Sequence, residues 1–297
     1  MTARSSVRTV GHVRRRSAKV RRRTPRLTAA RAGGILAMLV AAGGLYGLAT
    51  SPVFGLERLV VEGAELTDDA AIRGMVDLPA GEPLVVLRTD SLAASLRTLP
   101  AVADAQLQVG LPGTVTIRVT ERRPIAAWRV DERLFLVDVD GRVIAEGSPD
   151  AALPRLAAAD GGGPVPVIVD GRPAAGIRVG ATLNPVVLDA ARRLGSLVPT
   201  DAGTEAPRLA VAFDEAAGWI VRPDGDPALG WTAIFGFYTS DLASDLRPTS
   251  MIPAQVRLLR SLLDGREAEV GRVILASGTE GTYVPREAPQ PSPSPVP

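Results

Sequence analysis

The 297-residue chain has no cysteine, and its only histidine and lysine, His12 and Lys19, stand in the first 31 residues. Disulfides and thiol chemistry are therefore excluded, and so, beyond residue 31, are Ser-His-Asp and Ser-Lys arrangements and histidine-ligated zinc. The formal net charge of +2 conceals a division: residues 1–31 carry ten Arg, one Lys and no acid, residues 32–50 carry no charge, and from residue 51 onward 23 Arg face 32 Asp and Glu.

A strongly basic flank stays on the cytoplasmic side when the neighbouring apolar stretch inserts, so residues 1–31 read as a cytoplasmic tail and residues 51–297 as extracytoplasmic. With no aromatic residue interleaved, topology setting and attraction to anionic lipid suit the tail better than nucleic-acid binding. The uncharged stretch 32–50 (AGGILAMLVAAGGLYGLAT) reads as a transmembrane helix. Its nineteen residues reach about 28 Å at about 1.5 Å each, close to the hydrocarbon thickness of a bilayer. A secretory signal core is shorter, although Gly47 and Ala49 fit the small-residue positions of a cut after Ala49, the competing reading. Neither arginine triplet is followed by the apolar pair of a twin-arginine signal.

The next 70 residues read β-α-α-β-β. Residues 56–62 (LERLVVE) form a short apolar strand closed by Gly63. Thr67 is the expected N-cap of a helix with Asp68 and Asp69 in its first turn, and Ile72, Met75 and Val76 give it an apolar face. Residues 84–87 bridge to a second helix, capped by Asp90 or Ser91 and buried through Leu92, Leu96 and Leu99, which Pro100 ends. Residues 102–109 are a strand, Leu111-Pro112-Gly113 a turn, and residues 114–121 (TVTIRVTE) alternate strictly. That alternation predicts a half-buried strand with Val115, Ile117 and Val119 inward, antiparallel to its predecessor.

Further on, residues 164–169 suggest a strand, and Asn184-Pro185 opens a helix with Val187, Ala191, Leu194 and Val198 on its buried face. Residues 209–213 and 219–221 pair as a hairpin. Residues 229–238 (LGWTAIFGFY) are the most apolar strand region beyond the span, and odd spacing places Trp231, Phe235 and Phe237 on one strand face, read as buried core with an exposed aromatic patch as the competing reading. A helix from Pro253, with Val256, Leu259 and Leu262 or Leu263 inward, stops near Gly265. A late strand covers 270–276, and residues 287–297 form a disordered Pro-rich tail.

Carboxylates, hydroxyls and Arg are the remaining candidates for chemistry. Asp138 and Asp140 share a strand face, but Asp140-Gly141 is a turn dipeptide and the pair reads as structural. Asp224-Gly225-Asp226-Pro227 is also turn chemistry, because no Glu follows at calcium-loop spacing. No glycine-rich phosphate loop appears and no catalytic residue, metal ligand or cofactor site is singled out, so an enzyme is not expected. Glu121, Arg122 and Arg123 read as a solvated hinge, with contact to a partner or lipid as the competing reading.

Residues 54–63 (FGLERLVVEG), 99–102 (LPAV) and above all 111–124 (LPGTVTIRVTERRP) resemble the POTRA domain of the FtsQ/DivIB family of bacterial cell-division proteins. Trp128 and Leu136-Val137-Asp138 resemble the start of that family's second, β-rich domain. The resemblance implies an α+β fold: tail 1–31, span 32–50, POTRA domain 54–123, β domain 124–286 and tail 287–297. It implies a non-catalytic, bitopic scaffold at the division septum, which recruits FtsB- and FtsL-like partners and helps regulate septal peptidoglycan synthesis. No nucleic acid, small-molecule substrate or cofactor is implied; lipid is. A partner strand can add to a free sheet edge. The candidate edge is Arg272, Val273, Ile274 and Leu275 with Thr282, Tyr283 and Val284, and the competing reading makes Val273 and Leu275 core. Residues 241–250 resemble an insertion, and Ile274-Leu275-Ala276-Ser277 replaces the family's acidic-Arg ending. Two other functions stay open: a POTRA adaptor of another envelope or secretion complex, and a carboxylate-dependent cell-wall hydrolase using Asp138 and Asp140.

Overall fold

The computed structural model describes residues 29–49, 51–147, 165–172, 176–226, 228–239 and 248–286. Residues 1–28 of the expected basic tail, the Pro-rich tail and most of the 241–250 insertion lie outside these residues, and the last three residues of the basic tail belong to a helix. The chain divides into two compact units, one ending at Ser51 and one beginning at Pro52.

The first unit contains helix α1, Ala29–Ala49. Ile35, Leu36, Met38, Leu39, Val40, Leu45, Tyr46 and Leu48 are all exposed, so no single stripe is turned to a protein core. Among the described residues no helix is long and apolar enough to cross a membrane. The side chains of α1 are described for residues 33–48 alone, a shorter stretch than the expected span 32–50.

The second unit opens with a three-stranded sheet in the order β1-β3-β2, built from β1 (Arg58–Glu62), β2 (Val102–Gly110) and β3 (Thr114–Glu121). Strand β3 pairs antiparallel with β2 and parallel with β1. Helices α2 (Asp69–Val76) and α3 (Thr89–Leu96) close one face. Val115, Ile117 and Val119 point at them and are buried with Ile72, Val76 and Leu96, as the alternation predicts. Two helix starts differ from the sequence reading. Asp68, not Thr67, caps α2 by accepting from the Ala70 N–H, and α3 begins at Thr89 with no side-chain cap at all. Met75 is 39% exposed, because the short helix turns only Ile72 and Val76 inward.

The remaining strands form one nine-stranded sheet in the order β12-β11-β10-β9-β8-β7-β4-β5-β6. The meander β4 (Pro124–Val130), β5 (Arg133–Asp138) and β6 (Val143–Gly147) occupies one side. Strands β7 (Val167–Asp170), β8 (Arg208–Asp214) and β9 (Gly218–Asp224) follow, β8 and β9 being the expected hairpin. Strand β10 (Thr232–Gly236) runs parallel to β11 (Val270–Leu275), and β12 (Gly281–Pro285) returns antiparallel at the edge.

Helices α4 (Pro185–Gly195), α5 (Pro199–Ala202) and α6 (Ile252–Leu263) accompany this sheet. Asn184 caps α4 by accepting from the Val186 N–H, with Pro185 at its first position. The buried face of α4 is Leu188, Ala190, Ala191 and Leu194; Val198 lies beyond the helix and is exposed. Trp128 and Trp219 meet edge-on at 6.0 Å in the core beneath these helices. Trp231 and Phe235 join that core, but Phe237 is 42% exposed. Gly236, at φ +80°, opposes both Gly218 and Trp219 in a bulge, which breaks the two-residue period before Phe237.

Candidate functional site

Strands β10 and β12 flank β11, so of the candidate residues Arg272 to Leu275 lie on an inner strand and Thr282, Tyr283 and Val284 on the edge strand. Val273 and Leu275 are fully buried core, while Ile274 is 38% exposed. The register sets Arg272 opposite Val284, Val273 opposite Tyr283 and Ile274 opposite Thr282. Alternation then sorts the seven candidates by face. Val273, Leu275 and Tyr283 lie on the side of α6, where a Cβ at Gly281 would sit 3.1 Å from Leu258. Arg272, Ile274, Thr282 and Val284 lie on the opposite side. Every residue of β12 is exposed, and Tyr283 and Val284 keep 37% and 48% of their surface. About half of its backbone N–H and C=O groups face outward with no neighbouring strand among the described residues. A short extended segment of another chain can pair there, with pockets for alternate side chains supplying selectivity.

Two arrangements hold this edge in position. Gln255 of α6 is fully buried; its amide donates to the carbonyls of Phe235 (3.3 Å) and Leu275 (3.2 Å) and accepts from the Tyr238 hydroxyl (2.7 Å). It thereby ties α6 to the ends of β10 and β11. Past the edge, the Arg286 N–H donates to the Glu269 carbonyl at 2.7 Å and its guanidinium to the Ala228 carbonyl at 2.7 Å. Neither was evident from composition. Gln255 is nevertheless readable as the polar member of the i, i+3, i+4 stripe Ile252, Gln255, Val256, Leu259.

The junction between the two sheets is not a solvated hinge. The Glu121 carboxylate accepts from the N–H groups of Glu65 (2.9 Å), Leu66 (2.8 Å) and Thr67 (2.7 Å). Next to it the Arg122 guanidinium donates to Asp138 at 2.6 Å and to Asp140 at 3.2 Å. Asp138 is 2% exposed and also accepts from the N–H groups of Asp140 and Arg142. The hydrogen bond to Asp138 holds the Arg122 pKa above its ordinary value despite partial burial. Ala101 and Leu66 of the small domain pack with Ala127, Leu134, Leu136 and Ile144 of the large sheet. Asp138 and Asp140 are thus brought together, but around an arginine and a Gly141 turn, the structural role their spacing suggested.

One further buried acid braces the large sheet. Burial opposes the charge of Asp170, but hydrogen bonds from Arg172 and from the Trp128 indole (2.9 Å) hold its pKa below the ordinary carboxylate value.

Residues 54–122 match the model of the POTRA domain, FtsQ-type. The chain is similar over this region to bacterial cell division proteins named FtsQ. It is 31% identical to the cell division protein FtsQ of Rickettsia felis over 102 residues, 34% of this chain and 38% of that protein. It is 33% identical to cell division protein FtsQ of Streptomyces coelicolor over 125 residues, 41% and 47% of the two chains. For the same-named protein of Mycobacteroides abscessus the identity is 29% over 122 residues, 41% and 39%. In each case the match spans less than half of the relative's length. The small domain from β1 to β3 is accordingly an FtsQ-type POTRA domain.

Proposed function

We propose that the chain is a non-catalytic, single-pass membrane scaffold of the bacterial division machinery. Its tail lies in the cytoplasm, α1 anchors it, and the POTRA domain and the nine-stranded sheet stand outside. FtsB- and FtsL-like partners are held through the POTRA domain and the β12 edge, which helps regulate septal peptidoglycan synthesis. The observation that carries this reading is the FtsQ-type POTRA domain rigidly joined to a sheet whose last strand is free. The +11 flank and the all-round exposure of apolar side chains on α1 support the anchor.

The test is to fuse a fluorescent protein to the cytoplasmic tail and image dividing cells. A ring at mid-cell that is lost on deleting residues 54–122 is expected; uniform membrane fluorescence would overturn the septal role. Photocrosslinkers at Thr282 and Val284 should capture small bitopic proteins, and at Thr116, on the outer face of the POTRA sheet, should capture fewer.

A further inference from the structure

Three separated stretches meet at one end of the POTRA domain. The Leu56 N–H donates to the Glu82 carbonyl and the Gly81 N–H to the Leu56 carbonyl, each at 2.9 Å. The N–H groups of Glu57 and Arg58 both donate to the Gly113 carbonyl, at 2.8 and 3.0 Å. Gly55 bridges Pro83, and backbone contact there is so close that a Cβ on Gly55 would lie 2.9 Å from Gly81. Residues 55–58, 81–83 and 113 are therefore tied together through their backbones, and Val53, Val85, Val86 and Leu111 flank these ties by two or three positions.

These stretches expose aliphatic side chains. Val53 is 63% exposed, Leu111 59%, Val86 53% and Val85 50%, while their neighbours Leu56 and Leu84 are buried. Single exposed aliphatics are ordinary, but four on tied segments at one end mark an interaction surface. Charges of both signs surround them, Glu57 and Glu82 beside Arg58 and Arg88, so the surface selects for apolar contact and not for one sign of charge. It is also where the chain enters the domain. Val53 follows Ala49, the last residue of α1, by four positions, and a chain of that length reaches at most about 14 Å.

We propose that this end of the POTRA domain docks into the lipid interface, with Val53, Val85, Val86 and Leu111 entering the boundary between headgroups and acyl chains. The proposal rests on the reading of α1 as the membrane anchor. Interfacial apolar groups sit about 5–10 Å deep, a depth that side chains of a tethered domain can reach without unfolding it. Docking restricts the rotation that the three residues between Ala49 and Val53 would otherwise allow. Because Arg122 and Asp138 lock the POTRA domain to the large sheet, a domain fixed on the bilayer also fixes the attitude in which β12 is offered to partners.

The absence of cysteine makes the test direct. Full-length Val86→Cys and Leu111→Cys chains would carry an environment-sensitive fluorophore in phosphatidylcholine vesicles containing nitroxide-labelled lipid. Gly44→Cys in α1 and Thr282→Cys on β12 serve as references. Labels at 86 and 111 should be quenched at least about twofold more than the label at 282, depth being the cause, with no loss at high salt. Adding Val85→Ser and Leu111→Ser should restore the fluorescence of the label at 86. Quenching at 44 but not at 86 and 111 would overturn the docking and leave the anchor standing. No quenching at 44 would overturn both. Quenching that vanishes at high salt would also overturn it, since it would show attraction of charge in place of apolar insertion.

Discussion

Replacing Asp138 by Ala probes the rigidity of the domain junction. The substitution removes the acceptor of three hydrogen bonds, from Arg122 at 2.6 Å, Arg142 N–H at 2.8 Å and Asp140 N–H at 3.0 Å. Breaking a buried charge pair from one side costs about 3–5 kcal/mol. The Arg122 side chain keeps 25% of its surface and retains Asp140 at 3.2 Å, which lowers the penalty. The two backbone donors left without an acceptor add about 1 kcal/mol each. A loss of about 3 kcal/mol is therefore expected for Asp138→Ala. Arg122→Ala should cost less, because Asp138 keeps both backbone donors, and the two changes should couple by about 1–2 kcal/mol in a double-mutant cycle. Urea unfolding of the purified chain in detergent gives these values. All three tryptophans, at 128, 219 and 231, lie in the large sheet region, so their fluorescence follows that domain. Spin labels at Thr116→Cys and Thr282→Cys would report the angle between the sheets, and their distance distribution should broaden in Asp138→Ala. A change below about 0.5 kcal/mol, the ordinary size of a surface substitution, with an unaltered distance distribution would refute the lock.

Glu121→Ala should cost about 2–3 kcal/mol, since three N–H groups lose a charged acceptor, and amide exchange at Glu65, Leu66 and Thr67 should speed up before that of β3. Gln255→Leu should cost about 1–3 kcal/mol by removing two buried donors; amide exchange in β12 should rise while the POTRA domain is unchanged. The depressed pKa of Asp170 means that its stabilisation is fully present above its unfolded value, about 3.9, and is lost as pH falls through its lower folded value. Asp170→Asn should be less stable near neutrality and flatter below about pH 4; equal acid slopes in the two proteins would show that Asp170 is not the group responsible.

Periodicity made the POTRA domain legible because its elements are local: β3 alternates without a break, and Ile72, Val76 and Leu96 fall at helical spacing inside a sheet of three strands. The hairpin β8–β9, the cap at Asn184 and the helix α6 were equally readable, each being set by neighbours a few residues away. The charge division around residues 32–50 came from composition alone.

Three features required the tertiary structure. Phe237 keeps 42% of its surface because β10 ends at Gly236, which has positive φ and faces both Gly218 and Trp219 of β9, and that irregular pairing is set by residues 17 and 18 positions away. The Arg122–Asp138 lock joins two charges that look like a solvated hinge and a turn when read separately. Of the two candidate strands, β12 became a sheet edge and β11 an inner strand, because β11 pairs with β10 on one side and β12 on the other, while β6 ends the sheet at its far side. Local patterns name strands and the faces they bury, but which strand ends the sheet depends on the order of pairing, and that order is fixed by contacts distant in sequence.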